Sequence, residues 1–172
     1  MELTFTKNTI SFGDEKKVLF GDSILTLKKV IMSEGSCLPS SSGLISYDLR
    51  PGELLQGEDK LIFTVPSLDT PVCESQIKNL SIRLTKGEET WNKEIYVLSM
   101  DTPFAQARFI KEHQINSAIK FVSDYSDREF LDNSGLKINE LNLFTRAVIE
   151  CNAQNIVTKV IVPKDITHVP LL

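Results

Sequence analysis

No apolar run in this chain approaches the roughly 20 residues that a bilayer-crossing helix needs, so no membrane span is expected. Met1-Glu2-Leu3-Thr4 opens without the basic and apolar regions of a secretory leader, which points to a cytoplasmic protein. Histidine is scarce: His113 and His168 stand at ligand spacing neither from each other nor from a cysteine, and no metal centre is expected. Cysteine is nearly as scarce. Cys37, Cys73 and Cys151 are odd in number and widely spaced, which argues against both a disulfide framework and a zinc site. Charge of one sign is also lacking. The net charge is −4 and the basic residues are scattered, so neither a nucleic-acid stripe nor a polybasic membrane patch can be drawn.

The chain does have enough apolar residue for a core. At 172 residues and 41% hydrophobic content, one domain spanning 1–172 is expected, with 1–36 as an N-terminal hairpin region. "LTFTKNTISFG" alternates apolar and polar residues on both sides of Lys7-Asn8, the pattern of a β-hairpin. "KVLFGDSILTLKKVI" reads as strand-like or mixed, and Gly/Ser/Pro-rich "SEGSCLPSSSG" as a loop. "LISYDL" alternates as a strand, while "KLIFTV", "EIYVLSM" and "IKFVSD" are near-continuous apolar runs of the kind covered on both faces. Between them, Ile77, Leu80 and Leu84 mark one helical face, and Thr102-Pro103 opens a second helix. "DREFLDNSG" reads as a short helix, and "FTRAVIECNAQNIVTKVIV" as two strands around a turn at 152–155. Strands alternating with helices, followed by an antiparallel pair, predict an α/β fold with a mixed central sheet flanked by helices.

One cysteine stands in a chemically unusual place. In "VPSLDTPVCESQ", Asp69 or Thr70 suits an N-cap and Pro71 the first helical position, which puts Cys73 in the first turn. Free N–H groups and the positive end of the helix dipole there favour an anion. A free thiol, with a pKa of about 8.5, is only about 3% ionised at pH 7. Lowering that pKa by about 2.5 takes about 3.4 kcal/mol, whereas a helix dipole supplies about 0.3–1 kcal/mol and at most about 2. A reactive Cys73 therefore needs a charged partner, and an arginine is the obvious kind. The preceding strand and Pro66 would leave Cys73 at the mouth of a small pocket at a strand's carboxyl end.

Pro66-Ser67-Leu68-Asp69-Thr70-Pro71-Val72-Cys73 resembles the Pro-x-x-x-Thr-x-x-Cys run of the peroxiredoxin family, most closely its bacterial thiol peroxidase branch. "MDTPFAQARF", "SDYSDREF", "LNLFTRAVIE" and "DITHVP" resemble that branch's later segments in the right order. The resemblance implies a thioredoxin-like fold with an N-terminal hairpin, a homodimer, and reduction of hydrogen peroxide or alkyl hydroperoxides without a metal or organic cofactor. It implies that Cys73 is the peroxidatic thiolate, that Thr70 hydrogen-bonds thiolate and peroxide, that Pro66 shields the sulfur, and that Arg146 is the required cation. Thioredoxin or another thiol would be the reductant.

The chain departs from that pattern at one place. The segment like "PFAQARF" is normally followed by a resolving cysteine, and here the position is Ile110. Cys37, in the 33–43 loop, is the possible replacement. Cys151 follows Arg146 by an odd offset on a strand and is expected to face away from Cys73. Otherwise a one-cysteine cycle with an external thiol follows. The alternative reading is a peroxide sensor or redox relay on the same scaffold with little turnover. A thioredoxin-type oxidoreductase is disfavoured, because Gln76 stands where Cys-x-x-Cys needs its second cysteine.

Overall fold

The computed structural model describes residues 1–10, 16–28 and 32–172. In chain order these carry β1 (Phe5–Thr6), β2 (Lys17–Phe20), β3 (Ser23–Thr26), β4 (Ile45–Ser46), β5 (Lys60–Thr64), α1 (Pro71–Thr85), β6 (Glu94–Ser99) and α2 (Pro103–His113). There follow β7 (Ile119–Ser123), α3 (Glu129–Ser134), β8 (Lys137–Ile138), β9 (Leu143–Phe144), β10 (Ala147–Cys151), β11 (Val157–Ile161) and β12 (Val169–Pro170). Among the described residues no helix is long and apolar enough to cross a membrane.

Six strands form the central sheet in the order β11-β10-β5-β6-β7-β4. β5, β6 and β7 run parallel, while β10, β11 and β4 are antiparallel to their neighbours. The apolar runs at the three parallel strands are explained by cover on both faces. Leu61, Phe63, Ile95, Val97 and Phe121 pack with Ile77 and Leu80 of α1 and Phe109 of α2. Ile62, Leu98, Val122 and Ile149 belong to a second cluster with Phe130 and Leu131 of α3 and Val18 and Leu25 of the β2–β3 hairpin. Alternation along each strand divides the two sets. Both crossover helices therefore lie on one face, and their N-termini open at the carboxyl end of the sheet.

The expected α/β architecture with a mixed sheet is present, and so is an N-terminal hairpin, but its position differs. The alternating 3–13 segment does not fold back about Lys7-Asn8. Phe5 and Thr6 pair in parallel with Val169 and Pro170, Thr9 bridges Pro163, and the Ile10 N–H donates to the Val162 carbonyl at 2.8 Å. Residues 11–13 of that segment lie outside the described residues. The hairpin is the stretch read as mixed, β2–β3, turned at Gly21 with φ of 59°. The last part of that stretch, 29–31, also lies outside the described residues. "LISYDL" yields only β4, because Leu49 at φ of 69° closes a turn and the Arg50 carbonyl takes the Ser46 N–H at 2.8 Å.

The 33–43 segment is pinned rather than loose. Gly35 and Leu38 donate to the Val157 and Asn155 carbonyls, each at 2.8 Å, and Cys37 bridges Ile156.

Candidate active site

Helix α1 starts where its sequence dictates. Thr70, extended at φ −100° and ψ 146°, is the N-cap, and Pro71 follows without a helical N–H to lose. The Thr70 hydroxyl oxygen accepts from the Cys73 N–H at 3.4 Å and donates its hydrogen to the Ser67 carbonyl at 2.9 Å. An N-cap of this kind contributes about 1 kcal/mol, and here it also fixes the turn that carries the thiol. Pro66 is buried in the same connection, one residue past Val65, whose N–H donates to the Leu98 carbonyl at 3.3 Å.

Cys73 is 0% exposed and lies in the cluster under α1 and α2. The expectation that it would stand at a pocket mouth is therefore corrected. The first turn itself covers the sulfur, with Pro71 exposed and Thr70 half-buried above it. The helix face that carries Ile77 and Leu80 into the core carries Cys73 inward with them.

Arg146 enters from the residue before β10. Its backbone is set by Thr145, whose N–H donates to the Leu136 carbonyl and whose carbonyl accepts from the Thr64 hydroxyl, both at 2.8 Å. The Arg146 side chain is 1% exposed, and its fork has three acceptors. Nε donates to the Ile166 carbonyl at 2.9 Å, Nη1 to the Gln76 amide oxygen, and Nη2 to the Cys73 sulfur at 3.2 Å. Among the described residues no carboxylate forms an ion pair with this guanidinium. A buried cation without a counter-charge is costly, on the order of several kcal/mol. Among the described residues, the sulfur is the one ionisable group to which its fork donates.

Gln76 entered the sequence reading only as the residue in place of a second cysteine, not as a partner of the arginine. It is buried on the core side of α1, three residues from Cys73. The available signal was a polar residue on the stripe otherwise made by Cys73, Ile77 and Leu80. Gln76 also contributes to the wall of a cavity of about 70 Å³ lined with Phe5, Phe63, Leu80 and Trp91, which does not include Cys73. Asp101, after β6, was likewise missed. Its carboxylate accepts from the Ser67 hydroxyl and the Leu68 N–H, each at 2.9 Å.

The structure thus brings Thr70, Cys73 and Arg146 together, with Pro66 in the same connection. It does not bring Cys37 to them. Cys37 is exposed and bridges Ile156, and Cys151 nearby opposes Lys60, the first residue of β5, whereas Cys73 follows that strand's far end. Hydrogen bonds from Gly35 and Leu38 and the Cys37–Ile156 bridge hold the loop of Cys37, the possible replacement resolver, against the turn after β10. Cys151 faces the cluster under α3 and the hairpin, and burial pushes its thiol above the ordinary range. Ile110 packs against the Cys73 cluster as a partly buried aliphatic side chain. Nearby, Glu74 of α1 and His113 of α2 approach to 3.0 Å, linking the two helices.

The Redoxin family pattern matches residues 33–171. A thiol peroxidase of Clostridium acetobutylicum is 36% identical over 143 residues, covering 83% of this chain and 84% of that protein. A thiol peroxidase of Staphylococcus aureus is 33% identical over 141 residues, covering 81% and 82%. Among solved structures, a peroxiredoxin-like protein from Aquifex aeolicus superposes with a TM-score of 0.78 at 28% identity, covering 89% of each chain. A thiol peroxidase from Chromobacterium violaceum gives the same TM-score of 0.78 at 22% identity, covering 92% and 91%, a likeness of fold.

Proposed function

The chain belongs to the Redoxin family, among the bacterial thiol peroxidases, and on that footing we propose that it reduces hydroperoxides with Cys73 as the nucleophile. The observation that carries this reading is the buried Arg146 guanidinium, which donates to the sulfur at 3.2 Å and among the described residues pairs with no carboxylate. Guanidinium offers only donors, so the sulfur acts as acceptor, and an ionised sulfur supplies the missing counter-charge.

The chemistry then runs as follows. The Cys73 thiolate attacks the terminal oxygen of R–O–O–H. A sulfur–oxygen bond forms, the O–O bond breaks, and sulfur is oxidised by two electrons to sulfenic acid. The leaving alkoxide, or hydroxide from hydrogen peroxide, takes up a proton from water. Arg146 donates toward the charge that develops as the O–O bond breaks. The Thr70 hydroxyl has given its hydrogen to the Ser67 carbonyl, and its oxygen, which takes the Cys73 N–H at 3.4 Å, keeps a second lone pair to accept from the peroxide O–H. Pro66 shields the sulfur from water. Because Cys73 has no exposure, the first turn of α1 has to open locally to admit the peroxide, a motion of the kind that helix ends undergo at low cost.

The sulfenic acid returns to thiol through an external partner. A reductant thiol condenses with Cys73–SOH, releasing water and forming a mixed disulfide, and a second thiol displaces Cys73. Ile110 in the usual resolving position, and Cys37 pinned at the other end of the sheet, favour this one-cysteine cycle. A thioredoxin-type dithiol is the proposed reductant, the cytoplasm the proposed compartment and a homodimer the proposed assembly. A sensor with little turnover is disfavoured by the thiol peroxidases among its relatives.

Stopped-flow oxidation tests the reading, with hydrogen peroxide and cumene hydroperoxide as oxidants and Trp91 fluorescence as the signal. Fast oxidation is expected in wild type, Cys37→Ser and Cys151→Ser, and none in Cys73→Ser. Added thioredoxin should sustain turnover in Cys37→Ser as in wild type. A wild-type rate no higher than that of a free thiol would reject the assignment.

A further inference from the structure

The connection from Pro66 to Thr70 has to hold its shape for the Thr70 oxygen to meet the Cys73 N–H. An unconstrained loop resists this, because each ordered residue costs about 1–2 kcal/mol of backbone entropy. Asp101 spans the gap from the neighbouring strand. Oδ1 accepts from the Ser67 hydroxyl and Oδ2 from the Leu68 N–H, both at 2.9 Å. Hydrogen bonds to an ionised acceptor are about twice as strong as neutral ones. The Ser67 oxygen also accepts from the Asp69 N–H at 3.2 Å, and the Ser67 carbonyl takes the Thr70 hydroxyl hydrogen at 2.9 Å. Asp101 is itself held in place. Its N–H donates to the Ser99 hydroxyl at 3.3 Å, its carbonyl accepts from the Ser123 hydroxyl, and Ser99 receives the Gln106 amide at 3.2 Å. A continuous chain of hydrogen bonds thus runs from Gln106 of α2 through the end of β6 to the cap of α1.

We infer that Asp101 is a positioning residue for the peroxidase reaction: by fixing Ser67 and Leu68 it commits the Thr70 hydrogen to Ser67 and leaves the Thr70 oxygen to accept from peroxide. This rests on Cys73 being the peroxidatic residue. Without the carboxylate, Ser67 and the Leu68 N–H lose their acceptor, the Ser67 carbonyl is free to turn, and Thr70 no longer presents a defined lone pair. The sulfur and Arg146 are untouched. The loss therefore falls on peroxide chemistry and not on thiol reactivity in general.

The test compares Asp101→Ala, Asp101→Asn and Ser67→Ala by three readouts: the first-step rate with hydrogen peroxide, the rate of Cys73 alkylation by iodoacetamide, and thermal unfolding. Asp101→Ala should oxidise about 10²-fold more slowly, the loss that a misplacement of about 1 Å causes, while alkylation is unchanged or faster. Asp101→Asn keeps one acceptor and should recover part of the rate. Ser67→Ala should slow oxidation less, and adding it to Asp101→Ala should cost little more, since both act in one network. Asp101→Ala oxidising at the wild-type rate would overturn the inference. So would equal losses of oxidation and alkylation, with no recovery in Asp101→Asn. A wild-type chain no faster than a free thiol would instead overturn the assignment of Cys73.

Discussion

Two buried cysteines in this chain each have a buried cationic residue close by, but Arg146 meets Cys73 with its guanidinium whereas Lys60 meets Cys151 through its backbone. Cys73 is 0% exposed and Arg146 1%; Cys151 is 2% exposed and Lys60, its register partner across β5 and β10, 0%. Arg146 has a planar fork with a donor left for the sulfur after Ile166 and Gln76 are satisfied. Lys60 gives its ammonium to the Glu58 carbonyl at 2.9 Å and the Asn155 amide oxygen at 2.8 Å, and the Cys151 thiol stays above its ordinary range because burial outweighs the lysine. A cation near a sulfur is therefore not enough. The donor has to point at the sulfur, and a rigid guanidinium aims where an ammonium on a flexible stem does not. The two ends also differ in saturation. At the Cys73 end the Thr145 hydroxyl and Asp124 Oδ1 are buried without partners.

The largest effect is expected from removing the aimed cation. Arg146→Ala should slow oxidation of Cys73 by about 10²–10³-fold, the usual loss for one transition-state donor. Lys60→Met should leave that rate unchanged, while lowering Tm through the two acceptors it abandons, at about 2–4 °C per kcal/mol for a chain of this size. Stopped-flow rates and thermal melts of both variants decide the matter. Equal slowing by both would erase the contrast between the two ends.

Gln76→Glu sharpens the comparison. The substitution gives Arg146 a carboxylate, so the sulfur is no longer its sole charged acceptor. Oxidation should slow by about tenfold, the factor that about 1.4 kcal/mol supplies, with the fold retained by circular dichroism. An unchanged rate would mean that the counter-charge on Arg146 is irrelevant to Cys73.

The smallest effect concerns Asp124, just past β7 at the Cys73 end. Its Oδ2 accepts from the Leu131 N–H at 2.7 Å, and burial, aided by the Asp127 charge, pushes the carboxyl up to about 6 from 3.8. The folded state thus holds this proton more tightly than the unfolded chain. The associated stability is fully present below about pH 4 and is lost as pH rises through about 6. Urea titrations of wild type and Asp124→Asn should show the wild type losing ground to the variant between those values and no further change above them. A constant difference across that range would remove the buried charge from the account.

Much of this was legible in the residues. Thr70-Pro71 and Thr102-Pro103 mark the starts of α1 and α2, and the apolar runs mark β5, β6 and β7, because caps and periodicity are local. The 3–13 segment was misread for a physical reason: alternation says which face a strand buries, not which strand it meets. Phe5 found Val169 at the other end of the chain. The short strands β8 and β9 are too brief to show any period. Helix geometry called for a cation beside Cys73, but the choice of Arg146 came from family resemblance, since nothing local connects positions 73 residues apart. Asp101 was invisible because both of its acceptor contacts lie on another loop.

The Ile166 carbonyl that seats Arg146 belongs to the stretch leading into β12, and β12 is secured by its pairing with β1. During synthesis the helix that carries the thiol leaves the ribosome well before that stretch does. The Nε anchor of the guanidinium thus depends on a stretch held by pairing between Phe5–Thr6 and Val169–Pro170. A chain whose synthesis has not yet reached Ile166 therefore lacks one of the three acceptors that aim the guanidinium at the sulfur.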